Sequence, residues 1–362
     1  MRILLVIVVS LFTLSITAQT KRIVVTNPTD EQRHEVVAID SVSDNGTLFI
    51  IRDPFGIEQP WQRTHDGKLL LYVSVRPHGQ AAFTIQPGIP AAIPSSVGGR
   101  QYPERLDDIA FENDRIGFRL YGPALQRKGE KGFGHDVWVK RTSELILEEL
   151  YRNDPRMSFH LDYGKGLDCY GVGPTLGCGT PCLIRDGKIV YPWCYETYKI
   201  LDKGPLRFTV QVDFAAVGGV AEHRILTLDK GSNFCEAFVW YDGIDRPADI
   251  AAGLAIRPSD PNPIVIGKDY VHYADPTVDP ERHQCQIYSA MLFPDQPVTI
   301  TQQEDHVLGI LKNYQSGRRF HYYFGAAWSE FDVRSQAEWQ VRIDGFMEAK
   351  KYPLRVEFIQ SL

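Results

Sequence analysis

A chain of 362 residues with 43% hydrophobic and 11% aromatic side chains has enough apolar content for one large all-β domain or two smaller ones. Its formal net charge of -6 lacks the basic footprint of a nucleic-acid binder and argues against long-range attraction of a polyanion, although a local basic pocket stays compatible with it. Six cysteines in a chain this long do not make a disulfide scaffold, which belongs to much smaller domains.

In chain order, the opening "MRILLVIVVSLFTLSITAQ" has Arg2, an apolar run to Leu14, and small or polar residues to Ala18. That pattern predicts a secretory signal over 1–18, cut near Ala18–Gln19. The run is short for a bilayer span. No cysteine follows the cut to carry a lipid anchor, and no later segment is long and apolar enough to cross a membrane. A periplasmic or secreted protein is expected, with residues 19–362 as a single β-sandwich domain.

From there the pattern is β. "HEVVAIDSV", "KLLLYVSV", "RIGFRLYG", "HDVWVKR", "LRFTVQVDF", "EHRILTLDK", "CEAFVWYDG", "HVLGILKNY" and "FHYYFGAAW" are short runs rich in Val, Ile, Phe and Tyr, separated by turn residues. Asp66–Gly67, Asp186–Gly187 and Asp242–Gly243 mark hairpins. The Pro- and Gly-rich "QPGIPAAIPSSVGGRQYPER" reads as a long loop, because the strands before it are too few to bury a core of their own. "TSELILEELYRND" predicts a helix capped by Thr142 or Ser143, with Leu145, Ile146 and Leu150 at helical spacing. "SQAEWQVRIDGFMEAKK" predicts a second. Many strands without alternating helices exclude a doubly wound α/β protein. The fold expected is all-β: a large antiparallel β-sandwich with one or two short helices.

Alternation assigns side chains to sheet faces. In "RIGFRLYG", Arg115, Arg119 and Tyr121 share a face. In "GFGHDVWVK", His135 goes with Val137, and Asp136 with Trp138. In "RMSFHLDYG", Ser158, His160 and Asp162 oppose Phe159, Leu161 and Tyr163. "FHYYFGAAW" sets His321 and Tyr323 against Tyr322 and Phe324. Phe159–Gly179 holds six glycines among a histidine, a lysine, two aspartates and two tyrosines, the densest mixture of ionisable groups and glycine in the chain. Each of these residues taken singly also fits a structural role. Their concentration in one loop on a β scaffold points to the floor of a site.

Cys169, Cys178, Cys182 and Cys194 lack the paired C-x2-C knuckles of structural zinc, so small buried thiols with room for one disulfide are the better reading. "GVGPTLG" has the wrong glycine spacing for a dinucleotide fingerprint, and there is no H-E-x-x-H, G-x-S-x-G or phosphate loop. His272, Asp275 and His283 could ligate a metal, but their spacing does not demand one. No cofactor is required by the sequence, and a divalent metal stays open.

"FENDRIGFRLYGPALQ", "GHDVWVKR", "HLDYGKGLDCYGVGPTLGCG", "YPWCYETYKILDKGPLRF" and "YYFGAAWS" together resemble the exported bacterial family filed as domain of unknown function 4861, from about Ile23 onward. "GPLRF" followed by "EHRILTLDKGSNF" also resembles β-supersandwich proteins of the galactose-mutarotase type. The resemblance implies polysaccharide breakdown alongside unsaturated-uronyl hydrolases, and one branch of the family looks like an oligosaccharide dehydratase of ulvan degradation. Architecture alone licenses no activity.

Elimination from a uronic acid needs a base for the C5 proton, a cation for the carboxylate and an acid for the departing C4 oxygen. The residue types suggest His135 or His160 as base and Tyr163 or Tyr195 as acid. Arg115, Arg319 or Lys165 would bind the carboxylate of an anionic oligosaccharide. Asp136, Asp162 and Asp168 would orient a histidine or hold hydroxyls. Glu196, Tyr170, Trp138 and Trp328 would form a sugar-contacting wall. A polysaccharide lyase would use the same apparatus. A glycoside hydrolase would use two of Asp162, Asp168 and Glu196, an epimerase or mutarotase a His–carboxylate pair, and a binding module no acid or base at all.

Overall fold

The computed structural model describes residues 21–40, 48–154, 156–257 and 262–360. The predicted secretory signal lies outside the described residues. Every named ladder is antiparallel, and the strands form five sheets.

The largest sheet has eight strands, ordered Thr197–Lys203, Arg207–Asp213, Ala221–Asp229, Phe234–Asp242, Phe320–Trp328, Ile287–Leu292, Tyr270–Asp275 and Val265–Ile266. Against its inner face lie two five-stranded sheets. One runs Gly166–Leu167, Asp136–Lys140, Ile116–Leu120, Asp108–Asn113 and Val97–Tyr102. The other runs Lys188–Val190, Cys178–Arg185, Ala248–Ala255, His306–Tyr314 and Thr299–Gln303. One apolar cluster joins all three, with Phe118, Val137, Cys178, Ile250, Phe208, Leu226 and Phe324 among its members. A sandwich this wide follows from the alternation. In Ala221–Asp229 every second residue is buried, which places Leu226 and Leu228 inward. The expected large antiparallel β-sandwich is the fold observed.

Two smaller sheets pack together at one end. Five strands, Arg355–Gln360, Lys21–Thr26, Gln80–Pro87, Phe49–Arg52 and Glu58–Gln59, face three, Arg33–Ile39, Leu69–Val75 and Trp61–Arg63. They enclose a separate cluster that includes Ile23, Val37, Ile51, Leu71 and Phe83. The strand count before residue 100 suggested too little for such a core. The C-terminal strand, paired with Lys21–Thr26, enlarges the sheet from the far end of the sequence.

Three helices are present among the described residues: α1 (Pro123–Arg127), α2 (Leu147–Asn153) and α3 (Gln336–Lys351). The Ser335 hydroxyl caps α3 by accepting the Glu338 amide at 3.2 Å. α2 starts later than its sequence signal and uses neither Thr142 nor Ser143 as its cap. The Leu147 amide instead donates to Glu112 Oε1 at 2.6 Å, a carboxylate reaching out of the neighbouring strand. Lys140 Nζ holds the other oxygen at 2.5 Å.

The glycine-rich stretch passes behind the strand that starts at Asp136. Gly177 bridges His135 in parallel, and the Cys178 amide donates to the His135 carbonyl at 2.9 Å. At Gly177 φ is +55°, and an added Cβ would stand 2.2 Å from that carbonyl oxygen. Only glycine fits both the left-handed backbone and the close approach. Gly177→Ala is expected to lower stability by more than about 2 kcal/mol, read as a fall in the thermal unfolding midpoint. A substitution at exposed Gly129, where a Cβ meets nothing within 4 Å, provides the control for backbone strain alone.

Candidate functional site

The connecting segments 103–107, 121–135, 156–165 and 191–196 border the five-stranded sheet that carries Ile116–Leu120 and Asp136–Lys140. Their shared floor is built from cross-strand register, which sets Arg119 opposite Asp136. Arg119 Nη2 bonds Asp136 Oδ2, reaches Asp168 Oδ2 at 2.7 Å and touches the Tyr121 hydroxyl at 3.3 Å. The Tyr121 hydroxyl donates to Asp136 Oδ2 at 3.1 Å. Asp108 Oδ2, unbonded, stands 3.9 Å from Arg119 Nη1. The guanidinium lies 5.1 Å from the Trp138 ring and 5.8 Å from Phe159. All four charged groups are buried.

Three carboxylates around one guanidinium leave an excess of negative charge in a dry place, so protonation is favoured. Burial pushes the Asp108 carboxyl up to about 6, against the pull of Arg119. It also raises Asp136, with Asp168 adding repulsion. Burial works against the Arg119 charge, yet Asp136 and its neighbours hold the guanidinium firmly protonated.

Above this floor, the alternation predicted for "RMSFHLDYG" is not realised. Residues 156–165 form turns and bends. Asp162 Oδ1 accepts the Gly164 amide at 2.7 Å and the Gly166 amide at 3.1 Å, curling the chain where a strand would run straight. Phe159 is buried, while the His160 side chain is 57% exposed. His160 Nδ1 lies 3.0 Å from the Asp168 carbonyl. A carbonyl only accepts, so Nδ1 carries the proton and the Nε2 lone pair is left unengaged by that bond. The Asp168 carboxylate stands behind, 3.7 Å from Nδ1. The Phe159 ring links His160, at 4.6 Å between ring centres, to Arg105, whose guanidinium is 5.7 Å from it. Arg105 acts electrostatically on buried Asp108, and among the described residues no carboxylate pairs with it within 4 Å.

On the other side of Tyr121 is a cleft lined by Gly132, Phe133, His135, Trp193, Tyr195, Phe214 and Arg224. His135 Nε2 is 2.9 Å from Arg224 Nη1, and its ring stacks on Phe324 at 4.5 Å. A guanidinium only donates, so Nε2 accepts. Burial first, and Arg224 next, hold His135 neutral, well below the usual imidazole range. Tyr195 donates its hydroxyl to the Asp107 carbonyl, and burial raises its phenol.

The chain belongs to the family described as Domain of unknown function (DUF4861). That family's model matches residues 6–356. The chain is 25% identical over 339 residues to "Uncharacterized protein P7" of Formosa agariphila, covering 87% of this chain and 84% of that protein. Two solved structures from Enterococcus faecalis share the fold. One is titled as a protein in the Glycosyl Hydrolase Family 38, with TM-score 0.53, 9% identity and coverage of 94% of this chain and 47% of that one. The other is an alpha-mannosidase of strain V583, with TM-score 0.51, 9% identity and coverage of 94% and 46%. This chain thus spans about half the length of those two, and at such identity the likeness is one of fold.

Within this DUF4861 member, the loops bring together His160, Asp168, Asp136 and, through one arginine, Asp162 and Trp328. Arg141 Nε reaches Asp162 at 3.0 Å, and its guanidinium lies 4.6 Å over the Trp328 ring. Tyr163 is half exposed in the same loop, and Lys165 is engaged by Glu149 at 2.8 Å. His135 and Tyr195 belong to the cleft. Arg115 does not join them, because it sits in the turn before its strand, at the far end, and pairs with Asp332 at 2.6 Å. Arg319 lies over Phe238 and Trp240 on the eight-stranded sheet. Glu196 is exposed beside Asp213. Tyr170, Trp138 and Trp328 are core residues and form no wall to solvent. All six cysteines are free thiols. Among the described residues, no group of three or more His, Cys, Asp or Glu is placed to hold a metal ion. No helix among them is long and apolar enough to cross a membrane.

Arg105, Asp108, Arg119, Tyr121, Arg224 and Trp193 were missed as site residues, although alternation places Arg119 and Tyr121 on one sheet face. A signal existed for Arg224, because Glu222 and Arg224 occupy the inward positions of a strictly alternating strand where apolar residues belong.

The floor has a pH signature. Asp108 has its folded pKa raised from 3.8 to about 6, so its stabilising contribution is complete below 3.8 and is lost as pH rises through 6. Asp108→Asn keeps an acceptor for the Gly122 amide and cannot ionise. Between pH 4 and pH 7 the unfolding free energy is expected to swing in the mutant's favour by roughly 2–3 kcal/mol, measured by denaturant titration. An unchanged pH profile would show that Asp108 ionises freely in the folded protein.

Proposed function

We propose that this protein is a carbon–oxygen lyase of acidic oligosaccharides. The reaction is dehydration of a non-reducing-end uronic acid to a 4,5-unsaturated uronyl residue. The observation that carries this reading is His160, an exposed imidazole whose Nδ1 proton is fixed on the Asp168 carbonyl and whose Nε2 is left to act as base. The carbohydrate titles of both fold neighbours agree with a sugar substrate.

The C5 proton of a uronate is weakly acidic until its carboxylate is neutralised. Arg105 shares the Phe159 ring with His160 and takes that role in place of Arg115, Arg319 and Lys165. His160 Nε2 removes the proton, and the electron pair becomes the C4–C5 double bond. The C4–O bond breaks as Tyr163, three residues on in the same loop, donates its phenolic proton to the departing oxygen. Water leaves. The Asp168 carboxylate, behind Nδ1, favours the imidazolium that forms. Solvent then takes the proton from His160 and restores that of Tyr163. The product is the kind of residue that unsaturated-uronyl hydrolases consume. A hydrolase is less well served: Asp136 and Asp168 are buried on Arg119, Asp162 is held by Arg141, and Glu196 stands apart.

The test is incubation with uronic-acid-ended oligosaccharides, read by ultraviolet absorbance and mass. A conjugated double bond with loss of one water is expected, and His160→Asn should lower kcat by about 10²–10⁴-fold. Arg105→Gln should lower it comparably. Full activity in His160→Asn sinks this mechanism. Cleavage with uptake of water and no chromophore makes the protein a hydrolase.

A further inference from the structure

The cleft beyond Tyr121 contains groups that the proposed elimination does not use. Arg224 is 1% exposed and lies at its floor. Its Nε bonds Glu222 Oε1, its Nη1 donates to His135 Nε2, and its Nη2 is buried with no hydrogen-bond partner. An unmet donor of a buried guanidinium is costly. Arg119 also keeps two buried donors unmet, but Arg224 lines a cleft through which an acceptor oxygen from outside the protein can reach it.

The nature of that acceptor follows from charge and space. Glu222 already balances the Arg224 charge, and His135 is neutral. A second carboxylate would leave the floor with one uncompensated negative charge, whereas an uncharged oxygen leaves it balanced. The enclosed part of the cleft is ≈ 10 Å³, room for one water or one hydroxyl. A sugar ring would therefore lie at the mouth of the cleft, with only one of its oxygens reaching the floor. The walls are aromatic. The Phe214 ring lies 4.2 Å from the Arg224 guanidinium, and Phe133 meets Trp193 edge-on at 5.7 Å. Trp193 is 45% exposed at the mouth, a large apolar surface that nothing in the fold covers.

We propose that this cleft is a subsite for an uncharged pyranose, which lays its C–H face on Trp193 and places one hydroxyl on Arg224 Nη2 in the water-sized floor. The subsite rests on the reading of the neighbouring His160 loop as the place where an oligosaccharide is processed. It adds a specificity that the elimination itself does not need: a neutral sugar next to the acidic one.

Saturation-transfer NMR of the full protein with D-xylose, L-rhamnose or D-glucuronate as separate probes tests it. The neutral pyranoses should receive saturation through their ring C–H protons, and competition should place them in one site. Trp193→Ala should weaken their binding about tenfold without moving the unfolding midpoint, since Trp193 is half exposed. Arg224→Lys should weaken it too. Because that change alters a buried network, its folding is checked by near-ultraviolet circular dichroism. His160→Asn should cut turnover by the factor given above and leave the binding untouched, which keeps the two readings separate. Neutral-sugar binding that is absent, or unchanged in Trp193→Ala, overturns the subsite. So does binding of D-glucuronate alone. Neutral-sugar binding with no turnover of any uronate substrate upholds the subsite and overturns the elimination.

Discussion

Arg119 is a single cation placed where three carboxylates converge and water does not reach. A charge so buried is tolerable only if it is matched, and one so heavily outnumbered by anions forces some of them to keep their protons. Each of the carboxylates comes from a different piece of chain: Asp108 and Asp136 from strands on either side of Arg119, and Asp168 from the glycine-rich stretch. The Tyr121 hydroxyl and the Trp138 ring complete the surround. The position of the whole loop edge therefore depends on this one guanidinium. Asp168 is the clearest case. Its side chain is held from below by Arg119, and its carbonyl in turn holds His160 above.

Tyr121 joins the two halves of the depression. Its hydroxyl belongs to the charged floor, and its ring belongs to the aromatic cleft that ends at Arg224. The two arginines follow the same physical rule to different ends. Both keep buried donors unmet, but Arg119 is over-supplied with anions and enclosed, while Arg224 has one carboxylate and lines the cleft. The first is a structural clamp. The second is left with recognition capacity.

The β architecture was legible because its local signals agree: β-branched and aromatic runs between turn residues, with alternation that the core then satisfies. Ala221–Asp229 is the plainest instance. Where the reading went astray, the deciding contact was a partner far away in sequence or a side-chain-held turn that alternation does not register. Glu112, from a strand packed against it, caps α2 and displaces Thr142 and Ser143. Residues 156–165 had the right alternation for a strand, but Asp162 accepts two glycine amides and Arg141 holds the carboxylate, so the chain curls. His160 was visible as a residue type, and its exposure came from that curl. Arg115 and Arg119 share a face by counting, yet only Arg119 lies within the strand, opposite Asp136. Arg115 sits at the turn and is drawn to Asp332, 217 residues on. Residue type and spacing identified the chemistry present in the chain; they carried no information on which strands would become neighbours.

The strand Arg355–Gln360 has a consequence beyond filling out a small core. It pairs residue for residue with Lys21–Thr26, so that Lys21 faces Gln360 and Thr26 faces Arg355. On a chain synthesised from its N-terminus, most of the small sandwich is made first, yet it lacks an edge strand until the last one follows. Until then the outer edge of that first strand is open to whatever is near, the situation in which strands join the wrong partner. The intervening strands of the large sandwich are by then already made. The final strand thus covers the first one like a latch, and the outer edge of the first strand stays open until the last residues of the chain have been made.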